Sequence, residues 1–315
     1  MLLKKVGEFG LIELLARQTS RAHPDVIKGI GDDAAVIRPD AQKHLLVTTD
    51  TLQEDVHFRM SFCTPFQLGK KSMSVNLSDI AAMGGAPLYY FVSLGVPSKI
   101  TVDVIKKIYR GMDSRAKRFG AVLLGGDTVA SPGGLVITVT LIGSASAKEV
   151  VFRCGARPGD RLYVTGYPGE SALGLRLLQQ GGKLSGRNRL AAKHLDPLPR
   201  IDEARAIAAR RLASSMIDVS DGLAADLRHI LQESRVGARL YLDRLPLSRA
   251  YRKNSAAFSS DLYLAALCGG EDYELLLTVP PRKLKAFEKL VQMFSVPCTR
   301  IGEITAEADD LEIID

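Results

Sequence analysis

Short segments that join glycine or another small residue to an acid recur six times along the chain. They are GIGDDA at 29–34, TTDT at 48–51, NLSDIAAMGG at 76–85, GGDT at 125–128, DVSDGL at 218–223 and GGEDYE at 269–274. Any one could be an ordinary turn or helix cap, because aspartate and glycine are favoured at both. Six of them, with serine and threonine hydroxyls beside the acids, offer the hard oxygen ligands that Mg²⁺ shares with substrate phosphates.

Two of these acids are poorly explained as turn residues. Asp79 falls inside the helical apolar pattern of 68–83, where an aspartate is a weak helix former and is costly to bury unpaired. Asp50 ends an apolar run at 45–49, and α/β proteins present ligand-binding groups at strand ends. A bound cation would compensate both charges. The chain has neither GxxxxGK[ST] nor a kinase-type GxGxxG with HRD, so phosphate binding must use another scaffold.

The elements that position these acids alternate between helical and strand periodicity, which indicates an α/β or α+β fold. Helices are predicted at 8–18, 68–83, 102–119, 171–180, 202–211, 222–233 and 281–293. Strands are predicted at 45–49, 121–124, 135–142, 161–165, 239–242 and 274–279. A small-residue stretch near 145–150 precedes a turn at RPGD, so we predict two domains, 1–149 and 150–315.

Composition excludes several classes of protein. A chain of 315 residues that is 46% hydrophobic is neither disordered nor a small disulfide scaffold. Its four cysteines form no CxxC pair, which favours a reducing cytoplasm over a zinc or disulfide framework. No apolar run has the length of a membrane span or a signal peptide, so we expect no membrane contact. The net charge of +7 attracts polyanions, but no aromatic-interleaved basic stripe accompanies it, and we predict no nucleic-acid partner.

In this order, the segments resemble the thiamine-monophosphate kinase family, which belongs to the superfamily of aminoimidazole ribonucleotide synthetase and selenophosphate synthetase. The matches cover nearly the whole chain and include GEFGLI at 7–12, TTDTLQEDVHF at 48–58, RCGARPGD at 153–160, IDVSDGLAADL at 217–227 and GGEDYELLLTVP at 269–280. The resemblance implies an N-terminal α/β domain whose sheet forms a homodimer interface, and a C-terminal α/β domain that packs against it. ATP and substrate would lie in the cleft between them.

The resemblance also implies the reaction and the residues that carry it. ATP would phosphorylate thiamine monophosphate to thiamine diphosphate by direct in-line transfer, assisted by several Mg²⁺ ions and without a nucleophile on the protein. The implied metal ligands are Asp33, Thr48, Thr49, Asp50, Asp79, Asp127, Asp218 and Asp221, with Asp32 either a further ligand or a turn residue. The implied ATP contacts are Tyr109, Gly126, Arg153 and Ser220, and the implied acceptor contacts are His57 and Glu271.

The remaining histidines carry no motif, and we interpret His23, His44, His194 and His229 as structural or surface residues. One feature departs from the family. Its members commonly finish with a Gly-aromatic-Asp-His-Phe-like segment whose aromatic residue contacts the thiamine rings, whereas this sequence finishes ADDLEIID. Either that segment is missing here or another residue covers the rings.

Two alternatives stay open beside the kinase interpretation. The chain could be another ATP-dependent enzyme of the superfamily, or a relative that binds nucleotide or metal without turnover. No cysteine precedes Cys63 and the last residue is Asp315, which disfavours selenophosphate synthetase and the hydrogenase maturation dehydratase, since these need a cysteine near one terminus. The number of motif acids argues against a protein that only binds.

Overall fold

The computed structural model describes residues 24–39, 41–181 and 188–315. The helix predicted at 8–18 and the GEFGLI segment lie outside these ranges. The described residues form two six-stranded sheets with helices packed on them, which confirms the predicted two-domain α/β fold. No helix within these ranges is long and apolar enough to cross a membrane.

The first sheet has the strand order β1-β2-β3-β6-β4-β5. Its strands are β1 (Val26–Lys28), β2 (Ala35–Ile37), β3 (Lys43–Gln53), β4 (Ala86–Val96), β5 (Val122–Ala130) and β6 (Val136–Ser146). Neighbouring strands are antiparallel except β4 and β5, which run parallel. Among the described residues of this half are two helices, α1 (Pro65–Ala82), which lies against β3 and β6, and α2 (Val102–Phe119), which lies against α1.

The second sheet has the strand order β12-β9-β11-β7-β10-β8. Its strands are β7 (Arg161–Thr165), β8 (Ser215–Asp218), β9 (Gly237–Tyr241), β10 (Leu275–Val279), β11 (Cys298–Thr305) and β12 (Leu311–Ile314). The helices of this half are α3 (Glu170–Gln179), α4 (Arg189–Leu195), α5 (Ile201–Ala209), α6 (Leu223–Ser234), α7 (Arg249–Asn254), α8 (Leu264–Cys268) and α9 (Leu284–Val291).

The two halves share a hydrophobic core. Helix α5 of the second half packs against α1 of the first, and one continuous buried cluster contains Leu77 and Ile80 together with Met216 and Phe287. This shared core fixes the halves against each other at the level of α1. The domain boundary at residue 150 stays a prediction.

Helix α1 is buried on nearly all sides, and its start is defined by a capping box. The Thr64 hydroxyl accepts a hydrogen bond from the Gln67 backbone N–H at 3.2 Å, and the Gln67 side chain accepts one from the Thr64 N–H at 3.0 Å. Several buried polar side chains bond back to carbonyls of the helix itself, namely those of Ser72, Ser74 and Asn76. Other polar residues of α1 reach different elements and belong to the site described below.

Helices α1 and α2 cross in direct backbone contact. A Cβ atom added at Gly69 would lie 1.9 Å from the Ile108 carbonyl oxygen, and one added at Gly111 would lie 2.0 Å from that of Phe66. Real Cβ atoms do not approach backbone so closely, because protein interiors are already packed at crystal density. The two glycines therefore set how near α1 lies to α2.

We predict that Gly69→Ala lowers the free energy of unfolding by about 3 kcal/mol, because the helices must separate to admit a methyl group. Urea unfolding followed by circular dichroism measures this. Gly133→Ala is the matched control, since nothing lies within 4 Å of a Cβ added there. Equal stability of the two variants would contradict the close crossing.

A buried ion cluster anchors the start of β10. The Glu274 side chain is 1% exposed and accepts hydrogen bonds from Thr165 Oγ1 at 2.7 Å, from Arg200 Nε at 2.6 Å and from the Lys193 ammonium. Burial alone would raise the pKa of Glu274, but Lys193 and Arg200 outweigh it and hold that pKa at about 2. The cluster ties α4 and α5 to the end of the GGEDYE segment.

We predict a pH-dependent loss of stability on Glu274→Gln. The folded-state pKa lies below the usual 4.5, so the ionised group stabilises the fold above pH 4.5 and this contribution disappears as the pH falls towards 2. The cost at pH 7 should be about 3 kcal/mol and should shrink as the pH falls below 4.5. Thermal unfolding across pH measures it. The exposed pair of Glu312 and Arg239 provides the control, because Glu312→Gln should cost less than about 1 kcal/mol.

Candidate functional site

Three predicted acids meet between the two halves of the molecule. Carboxylate oxygens of Asp33, Asp79 and Asp218 all lie within 4.8 Å of one another. Asp33 comes from the loop before β2, Asp79 from the last turn of α1 and Asp218 from the end of β8. The Ser78 hydroxyl of α1 donates to Asp218 Oδ2 at 2.6 Å, which joins the helix to the second sheet. We call these three residues the acid cluster.

The electrostatics of the acid cluster are unfavourable without a cation. Burial raises the pKa of Asp79 well above its usual value, and the neighbouring Asp50 and Asp218 raise it further. Burial and Asp33 do the same to the pKa of Asp218. Burial also raises the pKa of Asp50, although its hydrogen bond to Asp79 opposes this, and the Thr48 hydroxyl donates to Asp79. Like charges buried this closely need a counter-ion to stay ionised.

Arg153 supplies part of that counter-charge. Its Nη2 lies 2.9 Å from Asp33 Oδ1 and its Nε lies 3.2 Å from Asp33 Oδ2, a two-pronged contact. The adjacent Asp32 carboxylate accepts a hydrogen bond from the Arg153 backbone N–H at 3.3 Å. Burial, with Asp33 beside it, raises the pKa of Asp32 to about 7. Arg153, Thr48 and the 29–35 loop line a cavity of about 450 Å³, which we call the nucleotide cavity.

A second group of ligating side chains surrounds the turn before α6. Oxygen and nitrogen atoms of Asp221, Asp226 and His229 lie within 4.8 Å of one another. Asp226 Oδ2 accepts hydrogen bonds from the backbone N–H groups of Ser220 at 3.0 Å and of Asp221 and Gly222 at 3.1 Å, so it holds the turn. Burial and Asp221 raise the pKa of Asp226 to about 7. The predicted ligand Asp221 therefore lies apart from the acid cluster. The sequence analysis did not identify its neighbour Asp226 as a candidate ligand.

The structure places two other predicted ligands on the opposite face of the first sheet. Thr48 and Asp50 face the helices, whereas the Thr49 hydroxyl points outward and bonds to Thr140 Oγ1 at 3.1 Å. Asp127 lies in register with Ser93 of β4 on an exposed strand, and its carboxylate accepts from the Thr128 N–H at 2.8 Å. Successive residues of a strand face opposite sides, so neither the Thr49 hydroxyl nor Asp127 joins the acid cluster in this chain.

The four predicted ATP contacts are also spread apart. Arg153 lines the nucleotide cavity, and Ser220 lies in the turn beside Asp221. Tyr109 is half-buried on α2, and Gly126 is on β5, where a Cβ atom would lie 1.8 Å from the Val92 carbonyl oxygen. Close packing against β4 is therefore sufficient to explain the glycine. Neither Tyr109 nor Gly126 is among the described residues that line the nucleotide cavity.

The two predicted acceptor residues do come together. His57 and Glu271 line a cavity of about 200 Å³, which we call the acceptor cavity. Its apolar wall contains Phe58, Phe62, Leu68, Leu175 and Leu195, and its polar wall also contains Lys71 and His194. His194, which the sequence analysis interprets as a structural or surface residue, is buried in this wall. Its partners are distant in sequence, and no local pattern could have identified it.

The GGEDYE segment connects the acceptor cavity to the acid cluster. Glu271 and Tyr273 adopt positive φ angles of 63° and 51°, which non-glycine residues rarely do. The Glu271 N–H donates to the Ser220 carbonyl at 2.7 Å, and the Tyr273 N–H donates to that of Val219 at 2.8 Å. Burial, then Glu271 and the nearby acids, raise the pKa of the Tyr273 hydroxyl well above 10. Tyr273 is therefore buried near both Glu271 and the acid cluster.

The acid cluster fits a hard divalent cation. Its donors are carboxylate oxygens with a hydroxyl beside them, and two of the three acids have pKa values raised by burial and mutual repulsion. Oxygen-only donor sets suit Mg²⁺, whereas zinc and copper sites favour nitrogen and sulfur. The residues present thus match the metal that the sequence analysis expected.

Two family models match the chain in sequence. The N-terminal domain of AIR synthase related protein matches residues 31–145, and the C-terminal domain of the same family matches residues 157–314. The first match covers the first sheet from β2 onward, and the second covers the second sheet. Together they assign the two-domain architecture.

Curated relatives and a solved structure identify the family more narrowly than the two domain models do. Thiamine-monophosphate kinase of Buchnera aphidicola subsp. Schizaphis graminum is 39% identical, over 98% of this chain and 94% of the relative. The enzyme of Bacillus subtilis strain 168 is 38% identical, over 95% and 91%. A structure described as AaThiL complexed with AMPPCP and TMP has a TM-score of 0.88 and 34% identity, over 99% and 95%. The chain therefore belongs to the thiamine-monophosphate kinase family and is a kinase.

Proposed function

We propose that this protein transfers the terminal phosphoryl group of ATP directly to the phosphate of thiamine monophosphate, giving ADP and thiamine diphosphate. The observation that carries the proposal is the acid cluster, which is joined on one side to the nucleotide cavity and on the other to the acceptor cavity. Arg153 contacts Asp33 on the nucleotide side. On the acceptor side, the backbone N–H groups of Glu271 and Tyr273 donate to the carbonyls of Ser220 and Val219, which directly follow Asp218 of the cluster.

Elementary chemistry explains why such a site needs acids but no general base. The acceptor is a phosphate that is already ionised at neutral pH, so nothing has to remove a proton from it before attack. The obstacle is repulsion between two polyanions. Bound Mg²⁺ would neutralise the phosphate oxygens and align them for in-line transfer. Asp33, Asp50, Asp79 and Asp218 would hold these ions, with the Thr48 hydroxyl beside them.

The protein itself binds and orients the two substrates. The guanidinium of Arg153 can form paired hydrogen bonds with phosphate oxygens of ATP. It would be free to do so once a bound metal replaced it beside Asp33. The apolar wall of the acceptor cavity suits the thiamine rings, and Phe58 and Phe62 are its aromatic members. These two residues are our candidates for contacts with the thiamine rings. Attack by phosphate oxygen on phosphorus leaves no covalent intermediate on the chain.

We also propose roles for predicted site residues that lie outside the acid cluster. Asp221 would bind a further metal ion at its turn, and Ser220 would contact ATP there. Thr49, Asp127, Tyr109 and Gly126 would contribute to nucleotide and metal binding only if a partner or a movement brings them to the site. The four cysteines, which form no CxxC pair, favour a cytoplasmic protein.

We further propose that the protein is a homodimer built through the first sheet. Strand β5 is at the sheet edge, and each of its residues is exposed. Its apolar side chains are 55% exposed at Val122, 54% at Leu124 and 55% at Val129. An open edge with apolar side chains is a pairing surface that monomeric proteins avoid. Dimerisation would cover it and the face that carries Asp127.

The direct test of the proposed reaction is ADP release by the purified protein from Mg-ATP. We expect release that depends on thiamine monophosphate, with thiamine diphosphate formed in equal amount by chromatography. Free thiamine is the control acceptor, because it lacks the ionised phosphate. Binding of Mg-ATP without release for any acceptor would favour the non-catalytic alternative. Release with a different phosphate ester alone would favour another enzyme of the superfamily.

We predict that Asp79→Asn lowers turnover at least 100-fold while it raises the melting temperature of the metal-free protein. The substitution keeps the size of the side chain but removes one of several repelling charges. Calorimetry with and without MgCl₂ measures both effects, and the rise caused by MgCl₂ should shrink. Asp113→Asn is the control, since that acid forms an exposed pair with Lys117. Parental turnover in Asp79→Asn would refute its role as a ligand.

We also predict that the double substitution Val122→Lys with Leu124→Lys raises the dimer dissociation constant at least tenfold, because buried unpaired lysines oppose association. Sedimentation velocity should give twice the chain mass of 34.1 kDa for the parent and the single chain mass for the variant. Met293→Lys controls for an added charge, since Met293 is the same kind of exposed apolar residue in the other half. A monomeric parent would contradict the proposed dimer.

A further inference from the structure

The polar wall of the acceptor cavity contains a lysine that is almost wholly buried. Lys71 lies on α1 and its side chain is 3% exposed. Its Nζ is 2.9 Å from Glu271 Oε1 and 3.4 Å from the His57 carbonyl oxygen. One ammonium group thus contacts both residues assigned to the acceptor. A buried cation is retained only where its partners are fixed, because desolvation costs several kcal/mol.

A histidine holds the same carboxylate from the other side. His194 of α4 is 5% exposed, and its Nδ1 lies 3.3 Å from Glu271 Oε2 and 3.1 Å from Ser171 Oγ. Burial and the nearby Lys71 lower the pKa of His194 to about 4, so the ring is neutral at physiological pH. With the proton of the neutral ring on Nδ1, His194 presents a donor to Ser171 Oγ and to the Glu271 carboxylate, which can only accept.

Both oxygens of Glu271 therefore lie within 3.3 Å of a protein nitrogen, and the carboxylate keeps lone pairs for a ligand. Lys71 belongs to the first half of the molecule and His194 to the second, so the carboxylate is fixed across the junction of the halves. A fixed carboxylate on the polar wall of the cavity can accept a hydrogen bond from an N–H donor of a bound ring. Of the ionisable or donor groups of thiamine monophosphate, the exocyclic amino group on the pyrimidine provides such a donor.

We infer that Lys71 and His194 are positioning residues. They hold Glu271 so that its carboxylate accepts a hydrogen bond from the amino group of the acceptor's pyrimidine ring. This inference rests on the proposed function and names its specificity determinant. Neither residue contacts the phosphates in this scheme. Their loss should weaken acceptor binding and selectivity and should spare ATP binding.

The test compares two ligands that differ at one group. Oxythiamine monophosphate carries a ring oxo group where thiamine monophosphate has the amino group, and it keeps the thiazolium charge and the phosphate. Isothermal titration calorimetry without ATP gives the dissociation constant of each. We expect the parent to prefer thiamine monophosphate about tenfold or more, which is the range for a hydrogen bond to a charged group. In Lys71→Met this preference should fall to less than twofold, with Mg-ATP binding unchanged.

Lys70→Met is the matched control on the next residue of the same helix. Lys70 pairs with Asp196 and does not line the acceptor cavity, so its loss should leave the preference intact. If Lys71→Met does not fold, two variants of His194 answer the same question. His194→Ala should lose the preference, whereas His194→Asn should keep it, because its amide N–H can replace the Nδ1–H donor.

The outcomes separate this inference from the proposed function. A parent that binds neither ligand overturns the proposed function, and the inference with it. A parent that prefers thiamine monophosphate, with an equal preference in Lys71→Met or in His194→Ala, overturns the inference alone. Equal weakening of both ligands in these variants would show that the two residues serve only to hold the cavity together, and this also overturns it.

Discussion

Three carboxylates that meet between the two halves of the molecule, two buried and one half-buried, impose the main constraint on this structure. Removing such groups from water costs several kcal/mol each unless a counter-charge is present. The hydroxyls of Ser78 and Thr48 and the guanidinium of Arg153 meet part of that need. Asp79 and Asp218 still have raised pKa values, so the protein alone does not neutralise the cluster. We therefore interpret the cluster as a site whose charges are balanced when a cation is bound. Without the cation, the unbalanced charges lower the stability of the fold.

Helix α1 carries this constraint into the rest of the fold. It presents Asp79 to the acid cluster and Lys71 to the acceptor cavity, eight residues earlier, which is about 12 Å along a helix. The capping box at Thr64 fixes where the helix begins, and the contact at Gly69 fixes its distance from α2. The shared core beneath it holds the halves in one orientation. The backbone of α1 therefore fixes the distance between the acceptor cavity and the acid cluster.

Local patterns in the sequence located most of the elements, because caps and periodicity act over a few residues. The helix predicted at 102–119 has those bounds, since Thr101 caps it and Gly120 ends it in a left-handed conformation. Asp79 was expected at the site because an acid inside an apolar helix needs a partner. The sequence did not reveal the contact of His194 with Glu271, because the two residues are 77 positions apart and only folding brings them together. Strand alternation could have shown that Thr49 faces away from its neighbours.

The central claim is that the acid cluster is a shared metal site for phosphoryl transfer. A crystal soaked with Mn²⁺ and a non-hydrolysable ATP analogue, measured at a wavelength where manganese scatters anomalously, tests it most directly. The account predicts an anomalous peak within about 2.5 Å of oxygens of Asp33, Asp79 and Asp218, with Arg153 on the phosphates of the analogue. Manganese peaks only elsewhere, with Arg153 still paired to Asp33, would contradict it.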